Sequence, residues 1–184
     1  MLSADLIVKL REKLPTVREW IETTLAAHRD RAVPVGLLDS PRLKHLFPAT
    51  LFNRSWCVSV PDKPPFPPLS RMGLEAFAPF EAMPIAGITY LNTFFVRQGH
   101  QCESLYFHEM IHVVQWERLG VERFLLAYGA GLVQSGYRAS PLEDMAFRLQ
   151  ADFDKGRAPK NLMGEIQMET DRIWENVAAL IGAP

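Results

Sequence analysis

Residues 104–119 read SLYFHEMIHVVQWERL, and this stretch decides the architecture of the chain. It contains the pattern HExxH, formed by His108, Glu109 and His112. Residues four apart lie on one face of an α-helix, so a helix would bring the two imidazoles together. Because apolar residues surround the motif on every side, the sequence predicts a buried helix that ends near Gly120.

The HExxH spacing suits a tetrahedral metal site. Two imidazoles on one face can both bind zinc, at about 2.0–2.1 Å per bond. Glu109, rotated about 100° around the helix, could take a proton from a water that the ion activates. By chance the pattern would occur in roughly one chain in a hundred of this composition. The alternative is a pair of core histidines bonded to carbonyls, but a buried glutamate and two buried histidines are costly unless something pairs them.

The third ligand has to come from elsewhere in the chain. Gln115 and Arg118 occupy the positions that hold glycine and histidine in HExxHxxGxxH, which excludes a third histidine from this segment. Glu143 is the leading candidate, because a glutamate on a following helix completes a common His₂Glu set. Its alternative role is helix capping, since Ser140-x-x-Glu143 is also a capping box. The reserve candidates are His100, Asp144, Asp152 and Asp154.

The rest of the sequence predicts an α+β fold. Helices are expected at 4–27 with an interruption at Pro15, at 40–46, and after residue 100 at 104–119, 121–133, 140–153 and from about 161 to 181. Two segments are typical of strands, Ser55–Val60 and Gly87–Arg97. The stretch Pro61–Pro68 contains five prolines and is expected to be an extended connector that could also wall a cleft.

Composition excludes several classes of protein. The chain has 184 residues, 20 basic and 21 acidic residues, two cysteines and five histidines. The net charge of −1 gives no electrostatic reason for binding nucleic acid or an anionic membrane. Two cysteines, Cys57 and Cys102, are too few for a disulfide scaffold or a four-thiolate metal site. No signal peptide or membrane-spanning segment is visible, so a cytoplasmic protein is the expectation.

Residues 108–147, HEMIHVVQW…GYRASPLEDMAF, resemble small bacterial metallopeptidase domains of the gluzincin type. In that family HExxHVxQ is followed by a Pro-x-Glu-x-x-Ala-[Phe/Tyr] element that supplies a glutamate ligand. The resemblance implies zinc held by His108, His112 and Glu143, with Glu109 as general base. The resemblance is strong over about forty residues and extends to 87–97 as the strand beside the cleft, whereas the N-terminal eighty residues carry no recognisable resemblance. We expect one zincin-like domain over 1–184, with N-terminal helices and a first strand of unassigned function in 1–60, the Pro-rich connector in 61–70 and a metal-binding catalytic part in 85–182.

The resemblance leaves several positions open. Larger gluzincins carry an aspartate where this chain has Phe147, so the partner of a ligating histidine could be Asp144 or Gln150. Tyr137 is a candidate oxyanion donor, although packing is the commoner role. Gln115 could contact a ligand, but packing is favoured. Cys102 as a further ligand would instead indicate a structural zinc site.

Three functions follow as hypotheses. The first is a zinc-dependent hydrolase, most simply a metallopeptidase with a peptide or protein substrate. The second is a non-enzymatic module that zinc stabilises and that binds a protein partner. The third is a degenerate relative without metal. Neither substrate specificity nor oligomeric state is encoded in these patterns.

Overall fold

The computed structural model describes residues 3–182 and shows an α+β fold, as the sequence predicts. Within that range lie six α-helices, four short 3₁₀ helices and four strands. The helices are α1 Ala4–Ala27, α2 Ala49–Arg54, α3 Ala78–Glu81, α4 Glu103–Ser135, α5 Pro141–Asp154 and α6 Leu162–Ile181. The strands are β1 Val33–Pro34, β2 Trp56–Val60, β3 Gly87–Tyr90 and β4 Thr93–Arg97.

The four strands form one small mixed sheet in the order β1-β2-β4-β3. Strands β2 and β4 are parallel, whereas β1 pairs with β2 and β3 pairs with β4 in antiparallel fashion. Strand β3 therefore lies at one edge, next to α4. This edge is where the sheet approaches the HExxH helix.

The prediction of a single strand over Gly87–Arg97 is wrong, because the segment folds into a β-hairpin. Leu91 and Asn92 form the turn, and Leu91 adopts a left-handed φ of 56°. The Asn92 side chain donates to the Arg54 carbonyl (2.6 Å), and the Asn92 carbonyl accepts from the Trp56 amide (2.8 Å). Hydrogen bonds to a distant segment thus stabilise a turn that the local sequence does not predict.

Helix α4 carries the motif and contains a break. Gly120 has φ 71° and ψ 176°, so it separates two helical halves, in agreement with the predicted stop. Helix α4 packs against β3 and β4 of the sheet and against α5 and α6. A continuous cluster of buried apolar side chains connects α1, the sheet and α4–α6. The HExxH residues are therefore held inside the core.

Two other local predictions have different outcomes. The helix expected at 40–46 is wrong, because only a 3₁₀ turn forms at Leu43–His45 before Pro48 begins the next element. Helix α1 runs through Pro15 without ending, since that residue is exposed and water can bond the carbonyl it leaves free. None of the helices described for residues 3–182 is long and apolar enough to cross a membrane.

Candidate metal centre

The motif residues are almost completely buried. The exposed fractions of His108, Glu109 and His112 are 3%, 2% and 5%, and that of Glu143, on α5, is 2%. Glu143 lies in the first turn of α5, and the packing of this helix against α4 directs the carboxylate toward both imidazoles. Among the residues 3–182, these two histidines and this glutamate form a group whose ligand atoms lie within 4.8 Å of one another.

The three side chains converge at distances that suit one ion. The two histidine Nε2 atoms are 3.1 Å apart. Glu143 Oε2 lies 3.3 Å from His108 Nε2, and Glu143 Oε1 lies 3.5 Å from His112 Nε2. Ligands on a tetrahedral zinc, with bonds of about 2.0–2.1 Å, are separated by about 3.3 Å. The two Nε2 atoms and the Glu143 carboxylate are therefore separated by about the distance between two ligands of one zinc ion, with a different carboxylate oxygen nearest to each imidazole.

Two glutamines orient the imidazoles. His112 Nδ1 donates to Gln115 Oε1 (2.7 Å), and His108 Nδ1 donates to Gln150 Oε1 (3.1 Å). The glutamines are fixed in turn, because Gln115 Nε2 donates to the Leu142 carbonyl (3.0 Å) and Gln150 Nε2 donates to Ser104 Oγ (2.9 Å). With the proton on Nδ1, each Nε2 lone pair points into the cluster, as metal-binding histidines require.

These contacts resolve positions that the sequence left open. Gln150, rather than the exposed Asp144, is the partner of His108. The preference for a packing role at Gln115 is wrong, because its amide bonds His112 directly. Phe147 packs against the His108 ring, with centroids 4.6 Å apart. Phe147 therefore supports the His108 ring by apolar contact, at the position where the resemblance led us to expect a charged partner.

Glu143 belongs to the cluster and does not cap its helix. Ser140 occupies the N-cap position of α5, but its buried hydroxyl makes no hydrogen bond. The Tyr128 hydroxyl, from the second half of α4, donates to Glu143 Oε1 (2.5 Å). The sequence patterns did not predict a role for Tyr128. The only feature that distinguishes this residue in the sequence is a phenol group within a helix rich in glycine and leucine. Glu143 Oε2 is buried without a hydrogen-bond partner, so one carboxylate oxygen is left for an ion.

Electrostatics favour a cation at this point. Burial would raise the pKa of the Glu143 carboxyl, but His112 and His108 outweigh burial and hold that pKa below its usual range. Burial opposes a charge on His112 as well, yet the Glu143 carboxylate raises the pKa of that imidazole to about 9. Three lone pairs that face one point need a positive charge among them, either a proton on an imidazole or a metal ion.

Glu109 stands beside the cluster with its own support. Its Oε2 accepts a hydrogen bond from Thr89 Oγ1 (2.7 Å), on β3. Burial is the main reason that the Glu109 pKa is raised, and the two imidazoles only partly offset it. Gly87 makes room for the carboxylate, because a Cβ there would lie 2.2 Å from Glu109 Oε1. A base with a raised pKa suits proton transfer near neutral pH.

Tyr137 lies at the mouth of the site. It borders both the apolar cavity beside the cluster and an open cleft of about 290 Å³ that His108 and Glu109 also line. Its ring packs edge-on against Phe147, with centroids 6.0 Å apart. Burial and the Glu143 carboxylate raise the Tyr137 pKa, so the phenol stays protonated and can donate.

The reserve ligands do not join the cluster. His100, Asp144 and Asp154 are exposed, and Asp152 pairs with Arg157 (2.9 Å). Cys102 is exposed at the start of α4, and the metal-competent group found among residues 3–182 contains no cysteine. This arrangement leaves the closed structural zinc site without a fourth protein ligand in the described part of the chain.

Comparison with protein-family models, curated proteins and solved structures gives no match for this chain. The function therefore has to be argued from the site itself.

Proposed function

We propose that the protein is a zinc-dependent hydrolase that cleaves amide bonds, of which the peptide bond is one kind. The observation that carries the proposal is the triangle of two Nε2 atoms and one carboxylate, with separations of 3.1–3.5 Å and an unpartnered buried oxygen. Two imidazoles and one carboxylate are a donor set typical of catalytic zinc, which keeps one position for water or substrate. Zinc bound there would polarise a carbonyl and lower the pKa of a water molecule.

The protein's own residues supply the proton transfers. Glu109, held by Thr89 and kept basic by burial, accepts the proton of the attacking water and passes it to the leaving amine. Tyr137, protonated at the junction of cleft and cavity, donates a hydrogen bond to the oxygen that gains negative charge. Neither residue belongs to the ligand triangle, so both remain free for these tasks.

Metal analysis of purified protein tests the binding step. We expect about one zinc per chain in the wild type and loss of zinc in His108→Ala, because two remaining ligands bind the ion weakly. His100→Ala is the matched control, since His100 is exposed and outside the cluster. Equal zinc content in all three proteins would refute the assignment of the ligands.

Hydrolysis by Glu109→Gln tests the chemistry. The variant keeps the three ligands and loses only the base, so we expect full zinc content and a rate about 10²–10⁴ times lower. The substrates are a quenched fluorescent peptide library and a panel of acyl amides. Undiminished activity in this variant would refute the mechanism. A wild type that binds zinc but cleaves neither panel would favour the non-enzymatic, zinc-stabilised module instead.

A further inference from the structure

A second feature of the site is a cavity that leads from the cluster into the core. His108, Glu109, His112 and Glu143 line one part of it. The other walls come from α1, from the Pro-rich segment and from the second half of α4, and include Leu14, Val17, Ile21, Phe66, Phe124 and Leu125. The Pro-rich connector thus contributes a wall, as its sequence suggested it could.

The cavity is apolar everywhere except at the cluster. Its remaining polar side chains already have partners within the protein: Tyr90 Oη donates to the Pro65 carbonyl (2.8 Å), and Trp116 Nε1 donates to the Thr89 carbonyl (3.1 Å). The charged or titratable lining is confined to the motif residues, Glu143 and three tyrosines, Tyr90, Tyr128 and Tyr137. A polar or charged group would enter these apolar walls at a cost, whereas a hydrocarbon chain would not.

The size of the cavity sets the length of the chain it accepts. Its volume is about 90 Å³. A group of the size of a water molecule needs about 10–15 Å³ of such space, so the cavity holds about six to nine heavy atoms. This is the size of a medium-length acyl chain.

The edge of the sheet argues against an extended polypeptide as the preferred occupant. Strand β3 is the edge strand nearest the cluster, and pairing with an added strand would use its outward amide and carbonyl groups. The Thr89 carbonyl is already bonded to Trp116 Nε1 in the core. A peptide would therefore lack one of the main-chain partners that β-pairing requires, while an acyl chain needs none.

We propose that the substrate is an acylated amide whose acyl chain of about six to nine carbons beyond the carbonyl occupies this cavity. The inference rests on the proposed hydrolase function. The reaction consumes one water: a C–O bond forms at the acyl carbon, the C–N bond breaks, and the proton accepted by Glu109 goes to the leaving amine. The products are a medium-chain carboxylic acid and an amine that leaves through the open cleft.

A series of linear alkyl hydroxamic acids, from two to fourteen carbons, tests the cavity through binding rather than turnover. The hydroxamate group binds zinc, so the chain length is the only variable, and calorimetry on zinc-loaded protein gives each Kd. Each buried methylene is expected to tighten binding about fourfold. The gain should stop at about seven to ten carbons, where the cavity is full. An affinity that does not depend on chain length would overturn the proposal.

Two variants check that the chain lies in this cavity. Val17→Ala enlarges the cavity, so the chain length at which affinity stops increasing should become longer by about one or two carbons. A misfolded protein could not produce this result, because misfolding would not make longer chains bind more tightly. Leu125→Phe fills the cavity and should move that limit to shorter chains. Leu25→Phe is the matched control, because Leu25 is also half-buried but does not line the cavity. An unchanged limit in both Val17→Ala and Leu125→Phe would overturn the location.

The outcomes separate this inference from the proposed function. Absence of zinc from the purified protein would refute the hydrolase before any hydroxamate is added. With zinc present, hydrolysis of a medium-chain acyl amide at a rate at least tenfold above that of its acetyl analogue supports the acyl substrate. Cleavage of peptides with hydrophobic side chains in preference to every acyl amide would overturn it, while leaving the hydrolase intact.

Discussion

Gly87→Ala should uncouple metal binding from catalysis, because the new methyl group meets Glu109 and none of the ligands. The added Cβ would lie 2.2 Å from Glu109 Oε1 and 2.8 Å from its Cδ, and contacts below 3.0 Å essentially never occur. The carboxylate must therefore retreat by about 1 Å, which also strains its 2.7 Å bond from Thr89. A displacement of about 1 Å in a reacting group costs about 100-fold in rate, equivalent to about 2.7 kcal/mol.

The assay compares zinc content with the rate of hydrolysis for the same purified samples. We expect one zinc per chain in Gly87→Ala and a rate about 100-fold below wild type on the best amide substrate. Gly36→Ala is the control, because the nearest atom to its new Cβ is 3.9 Å away. A rate within threefold of wild type would refute the positioning role of Gly87. Loss of zinc would also refute it, since the effect would then have reached the ligands.

Three further predictions concern the same centre. Gln115→Leu removes the acceptor for His112 Nδ1 (2.7 Å) and should weaken zinc affinity about 10–100-fold, as measured by competition with a chelator. Gln134 is exposed on the same helix, so Gln134→Leu should leave zinc affinity unchanged. Equal affinities in the two variants would contradict the orienting role of Gln115. A zinc concentration a thousand times the Kd should stabilise the folded state by about 4 kcal/mol and raise the melting temperature by about 8–16 °C. An unchanged melting curve would argue against a zinc site that forms only in the folded state. Tyr137→Phe should lower kcat about 10²–10³-fold with little change in KM. Tyr106 lies outside both the cavity and the cleft, so Tyr106→Phe should leave kcat unchanged. Equal kcat values in the two variants would exclude the oxyanion role of Tyr137.

The parts of the site that sequence predicts well are local in the chain. His108 and His112 are four residues apart, and any helix places them on one face. Glu143 could be proposed because Ser140-Pro141 marks the start of a helix, although the same residues also predicted a cap that does not form. The break in the helix at Gly120 was also predictable from the sequence, because a glycine follows the last residue of the helical pattern.

The parts that sequence missed depend on contacts between distant segments. The hairpin at Leu91–Asn92 needs Arg54 and Trp56, which lie more than thirty residues earlier. The assignment of Gln150 to His108 spans 42 positions, and no local pattern distinguishes it from Asp144. Tyr128 reaches Glu143 only because the chain reverses between α4 and α5.

The sequence by itself determined the α+β class and the helical placement of His108, Glu109 and His112, and it predicted histidine and carboxylate rather than cysteine as the donors of a metal site. Those features follow from helical periodicity and composition, which act over a few residues. Tertiary structure alone decided which glutamines orient the imidazoles, why residue 87 is glycine, and that an apolar cavity opens beside the cluster. Such features arise where α1, the Pro-rich segment, β3 and α4 pack together, and packing depends on shapes that no single segment encodes.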